Sequence, residues 1–167
     1  MGCGSSLASP PKTDSPSNRY EVGEKMPRRC SYSEAFEGTN KLTGQKVVLR
    51  SIPKAHGMFD RETVLAQLKE LQGVRHPACV GVVDVWEDDD SVHYAEHHTH
   101  STADIFEYVA NCPRHTDRQA ALLCRSLLSG LEHLHARDIV HRDLLPQNVL
   151  VVPGGGAGER EGGGEKG

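Results

Sequence analysis

The chain has 167 residues, with 37% hydrophobic and 25% charged side chains and a net charge of −4 with histidine neutral. That is enough for one domain with a modest core, and the acidic balance gives no footing for nucleic acid as a partner. No apolar run is long enough to cross a bilayer, and no secretory signal opens the chain.

Residues 1–19 are Gly, Ser, Pro and polar, too poor in apolar side chains to offset the entropy of ordering, which predicts a disordered tail. Strand-like stretches follow at Tyr20–Met26, Ser33–Gly38 and Lys46–Ile52. The last two are joined by a hairpin-type turn, Thr39 to Gly44. Asp60 to Val74 reads as a helix, with Val64, Leu65, Leu68 and Leu71 on one face and Gly73 as its stop. His76-Pro77 breaks the pattern. The Val-rich run Cys79–Glu87 predicts a buried strand, Asp88-Asp89-Asp90 a turn, and Ser91–Ala95 a second strand.

A short helix is expected near Thr102–Ala110. Thr116-Asp117-Arg118-Gln119 fits a capping box, and the helix it starts runs to about His135 with an apolar stripe of Ala120, Leu123, Cys124, Leu127, Leu131 and Leu134. A loop holds 137–148, Val149–Val152 is a brief strand, and the Gly-rich end 153–167 is expected to be disordered. The five cysteines, Cys3, Cys30, Cys79, Cys112 and Cys124, lack metal-type spacing and read as reduced thiols of a cytosolic protein.

The chemistry is concentrated in His141-Arg142-Asp143-Leu144-Leu145-Pro146-Gln147-Asn148. This run resembles the protein kinase catalytic loop, H-R-D-L-x-x-x-N, in which the Asp accepts the proton of a substrate hydroxyl and the Asn holds magnesium. Asp143 and Asn148 stand at those two places. Lys46-Val47-Val48-Leu49-Arg50 is similar to the third kinase strand, and the resemblance extends over roughly residues 20–152, in a style closest to the calcium-dependent serine/threonine kinases.

It implies an α+β fold. Residues 20–95 would form a small lobe of antiparallel strands with one helix. Residues 96–152 would form an incomplete, mainly helical large lobe that ends after the catalytic loop. The implied activity is transfer of the ATP γ-phosphate to protein Ser or Thr, with magnesium. Arg50 would be the phosphate contact, Gln67 would stand at the helix position that partners it, Ala95 would be the small gatekeeper beside the adenine, and Glu96 would begin the hinge between the lobes.

The sequence also departs from that pattern. The three glycines that let a loop close over phosphates fall on Arg28, Cys30 and Ser33, with Pro27 just before. The strand lysine is Arg50, larger and planar. Its helix partner, ordinarily Glu, falls on Gln67 unless Glu62 or Glu70 takes the place. The loop lysine is Leu145, which removes a cation from a site that works by charge stabilisation. No Asp-Phe-Gly follows Asn148. These departures predict poor binding of ATP and magnesium and no activity in this chain.

Two further features bear on function. Met1-Gly2-Cys3-Gly4-Ser5-Ser6 fits the N-myristoylation pattern, with Gly2 acylated and Cys3 placed for palmitoylation, because one chain alone holds a membrane only marginally. His93, His97, His98 and His100 cluster, which suits either zinc or, by the blander reading, a solvated polar loop. The expectation is a cytoplasmic, membrane-associated, kinase-like fragment facing a protein substrate or docking partner. The competing readings are a non-enzymatic scaffold and a mis-ended product of a longer kinase gene.

Overall fold

The computed structural model describes residues 16–26, 33–55, 57, 59–99, 103–112, 114 and 116–152. They belong to two compact units, the first ending at His98 and the second beginning at Thr99.

The first unit is built on a five-stranded antiparallel sheet of spatial order β1-β2-β3-β5-β4. Its strands are β1 (Tyr20–Lys25), β2 (Glu34–Asn40), β3 (Lys46–Pro53), β4 (Val82–Glu87) and β5 (Ser91–His97), with one helix, α1 (Arg61–Gln72), between β3 and β4. The β2–β3 turn closes where Gly44 takes a positive φ of 69°, a conformation that glycine adopts without penalty. Asn40 accepts from the amides of Leu42 and Thr43 through its side chain and so fixes that turn.

Side chains alternate across a strand, so the register assigns each residue to a face. One face carries Tyr20, Phe36, Val47, Leu49, Trp86 and Ala95, with Tyr20 stacked on Trp86 at 5.6 Å between ring centroids. The other carries Val82 and Val92 beneath Leu68 of α1, with Val64, Leu65 and Leu71 packed around them. The helix stripe read from the sequence is therefore the face that α1 lays on the sheet. A register shift between Val82 and Asp84 moves Trp86 to the first face.

The second unit contains β6 (Ala103–Asp104), α2 (Ile105–Asn111), α3 (Asp117–His135) and β7 (Leu150–Val151), with a 3-10 turn at Pro146–Asn148. Both helices open on a capping box. In α3, the Gln119 amide donates to Thr116 Oγ1 at 3.2 Å and the Thr116 amide to Gln119 Oε1 at 3.0 Å, as the sequence predicts. In α2, Asp104 and Glu107 do the same.

Several expectations need correction. The tail expected over 1–19 contains a 3-10 turn at Pro16–Arg19; the Arg19 carbonyl accepts from the Lys41 amide at 2.7 Å and its guanidinium pairs with Asp84 at 2.9 Å. The strand expected from Cys79 begins at Val82, because the Cys79 amide donates back to His76 and closes a turn first. Strand β5 runs past Ala95 to His97. On α3 the stripe is unevenly covered: Leu134 is buried, Leu123, Leu127 and Leu131 are half-buried, and Ala120 and Cys124 are exposed.

Candidate functional site

The second unit supplies the loop His141–Asn148, held by short-range hydrogen bonds. The Asp143 amide donates to the His141 carbonyl at 2.9 Å, the Leu145 amide to Asp143 at 3.1 Å, and the Asn148 amide to Leu145 at 2.9 Å. Arg142 has a φ of 62°, the left-handed region that a side chain enters only under constraint.

The strand pairing then fastens the loop. The Ile105 amide donates to the Val149 carbonyl at 2.7 Å, and Asp104 pairs with Leu150.

Asp143 and Asn148, joined in the sequence reading only by their spacing, are in contact. Asn148 Nδ2 donates to the Asp143 carbonyl at 2.9 Å and to its Oδ2 at 2.8 Å. Two donations from one amide fix the Asn148 side chain and leave its carbonyl oxygen, an acceptor only, on the other side of the group. Both residues are exposed. Leu145, in the turn between them, is 43% exposed and brings no charge.

The first unit holds the remaining candidates. Arg50 lies on β3 opposite Tyr94, and Val48 lies opposite Glu96. Period two puts Val48, Arg50, Tyr94 and Glu96 on the α1 face. There Arg50 Nε donates to Glu96 Oε2 at 2.9 Å, with the two side chains 19% and 21% exposed. Arg50 Nη1 also donates to the hydroxyl of buried Ser33 at 3.5 Å.

The carboxylate paired with Arg50 comes from β5, while Gln67, at the helix position, is half-buried on α1 and carries no charge. Ala95 does not share a face with Arg50. It is fully buried on the opposite side with Leu49 and Trp86, because adjacent strand residues point to opposite faces. Glu96, assigned to the hinge, is the β5 residue on Arg50's side.

The histidine cluster also separates. His93 is 1% exposed, stacked on Trp86 at 5.7 Å between ring centroids, and joined to Ser51 Oγ at 2.8 Å and Asp88 Oδ2 at 3.0 Å. It belongs to the core of the sheet, not to a solvated loop. His97 reaches Gln45, and no group of residues fit to hold a metal occurs among the described residues. Gly2, Cys3, Pro27, Arg28, Cys30 and His100 lie outside the described residues.

The sequence reading missed Glu96 as the partner of Arg50 and the chain Ser51–His93–Asp88. The antiparallel pairing of β3 with β5 carries the signal for the first. The second joins residues whose types alone suggest nothing.

A family model described as protein kinase domain matches residues 21–156. Serine/threonine-protein kinase 36 of Pongo abelii is 31% identical over 144 residues, spanning 83% of this chain and 10% of that protein. Calcium-dependent protein kinase 12 of Arabidopsis thaliana is 29% identical over 145 residues, spanning 84% of this chain and 29% of its own. Among solved structures, that of Rad53 1-466 in complex with AMP-PNP matches with a TM-score of 0.70 at 22% identity, covering 80% of this chain and 34% of that one. This chain thus spans between 10% and 34% of the length of these proteins.

Proposed function

Because the chain belongs to the protein kinase domain family, we propose that it is a kinase-like module that does not transfer phosphate by itself and acts as a docking element for a protein partner. The observation that carries this reading is the composition of the loop. Asp143 and Asn148, which stand at the places of the family's proton acceptor and magnesium ligand, are hydrogen-bonded to each other, yet Leu145 stands between them where the family pattern has lysine. Phosphoryl transfer depends mainly on positioning and on stabilising charge, so removing a cation removes a large share of the effect.

The residues fit magnesium-bound ATP only in part. Magnesium would neutralise charge on the phosphates, and Asn148 is placed to offer it an oxygen. Arg50, the family's phosphate contact, already has Glu96 at 2.9 Å, which does not suit an anion. What Asp143 can do unaided is accept a proton from a hydroxyl brought within reach. The substrate class implied by the relatives' names is protein Ser or Thr.

Radiolabel transfer from ATP to a generic protein substrate tests this. The chain should give background incorporation, and Leu145→Lys should leave it there, since catalytic parts act as a unit. Incorporation that disappears on Asp143→Asn would overturn the reading.

A second element of the reading is a membrane tether, supported by Gly2 and Cys3 at the start of the sequence. The chain should pellet with membranes from a cell that has acyltransferases, and Gly2→Ala should release it. Equal partition of parent and variant would sink the tether while leaving the docking role standing.

A further inference from the structure

We propose that Glu96 is the residue that denies this small lobe a nucleotide: it neutralises Arg50 from the neighbouring strand, and replacing it creates a site for a polyphosphate. The inference rests on the kinase-like reading above and names the side chain that decides nucleotide binding within it.

The argument starts from register. Arg50 faces Tyr94 and Val48 faces Glu96 across the β3–β5 ladder, so Arg50 and Glu96 are diagonal neighbours on one face. Diagonal neighbours of an antiparallel pair are within reach of long side chains, and Arg and Glu are both long. The result is the 2.9 Å contact, with both side chains about four-fifths buried. At that burial, solvent screens the pair only partly. On the other side of the guanidinium, Nη1 donates to Ser33 Oγ. Ser33 falls at the third glycine position of the phosphate loop, where glycine would present no side chain at all.

In the family arrangement the strand cation takes its carboxylate partner from the helix, which leaves the strand face beside it open to the phosphates. Here the corresponding helix position is Gln67, which carries no charge, and the carboxylate stands on β5 instead. One cation and one anion are still present, but the anion has moved onto the face where the nucleotide would lie. A phosphate approaching Arg50 would meet a fixed negative charge within a few ångströms and would have to displace an existing ion pair.

Calorimetric titration of the 167-residue chain with ATP, with and without magnesium, and with inorganic triphosphate tests this. The parent should show no saturation below about millimolar. Glu96→Gln keeps the shape and removes the charge, and should tighten both ligands by about tenfold or more. Glu96→Met is the second variant. The gain should vanish in the Arg50→Gln/Glu96→Gln double variant. Trp86 fluorescence reports on the integrity of the sheet in each.

Two folded Glu96 variants that titrate like the parent would overturn the inference, as would a gain that survives loss of Arg50 or micromolar binding by the parent. If neither variant folds, Arg50→Gln in the parent decides: unchanged titration supports the inference and weakened titration overturns it. Phosphotransfer by the parent is a separate readout, and it would overturn the preceding reading instead.

Discussion

Replacing His93 by leucine should cost the small lobe a large part of its stability, because the ring ties together three otherwise unrelated groups. Asp88 is a carboxylate and can only accept, so His93 Nε2 donates to it at 3.0 Å. In the neutral ring, Nδ1 then accepts from the Ser51 hydroxyl at 2.8 Å. Ser51 is fully buried, and its hydroxyl meets the ring. Leucine fills similar space, so packing changes little.

What is lost is one neutral hydrogen bond of roughly 0.5–1.5 kcal/mol and one to a charged group of roughly 1.5–3 kcal/mol. Desolvation of the orphaned hydroxyl adds roughly 1–3 kcal/mol. Allowing for overlap, the expected cost is about 3–5 kcal/mol, a large share of an ordinary domain's stability. Trp86 is the single tryptophan of the chain and stacks on the same ring. Urea unfolding followed by its fluorescence therefore reads this lobe directly. Ser51→Ala in the His93→Leu background removes the orphan and should recover about 1–2 kcal/mol. A single variant within about 1 kcal/mol of the parent, or a double variant that recovers nothing, would refute the reasoning.

Acid should loosen the β4 end of the same sheet. Hydrogen bonds from Arg61 and then Lys54 lower the Glu87 carboxyl to about 2, so its contribution is fully present above the ordinary glutamate range and fades as pH falls toward that value. Arg61→Gln should flatten this part of the acid-unfolding curve, and an unchanged curve counts against it. Gly38→Ala should destabilise by roughly 1–3 kcal/mol, because a Cβ there would stand 2.6 Å from Leu49 Cγ, and thermal melts will show it. Thr116→Ala removes the cap of α3 and should lower its helicity by circular dichroism at a cost of about 1 kcal/mol, with Thr116→Ser restoring it. Hydrogen exchange should protect Lys46–Ile52 more strongly than Leu122–Leu134, since Val47, Leu49 and Ser51 are buried while Leu122 and Leu128 are exposed. The reverse order would contradict the burial seen here.

The parts of the fold legible in the sequence are those decided by neighbours along the chain. Thr116 with Gln119 caps α3, Gly44 permits the β2–β3 turn, and Val64, Leu65, Leu68 and Leu71 repeat at helical spacing because one side of α1 must be covered. What was not legible depends on residues far apart in sequence. Pro16–Arg19 has the composition of a tail, yet it is held by Lys41 and Asp84. His93 has the look of a member of a polar histidine run, yet Ser51, Asp88 and Trp86 enclose it. The strand starts only at Val82, because a valine-rich run does not show where a turn has already used the amide of Cys79.

The candidate site divides along the same line. Asp143 and Asn148 are five residues apart and meet within one loop, so a motif read along the chain contains both. The surroundings of Arg50 are set by which strand lies beside β3 and in which register. A shift of one residue would exchange the faces of Ala95 and Glu96. Counting along a motif assigned Ala95 to the pocket and Glu96 to a hinge. The ladder Val48↔Glu96 and Leu49↔Ala95 puts them on opposite faces and the carboxylate beside the cation. A motif reports which residue types are present. Whether Arg50 remains available to a ligand is decided by the strand across from it, and the charge of Glu96 is what the titration of Glu96→Gln weighs.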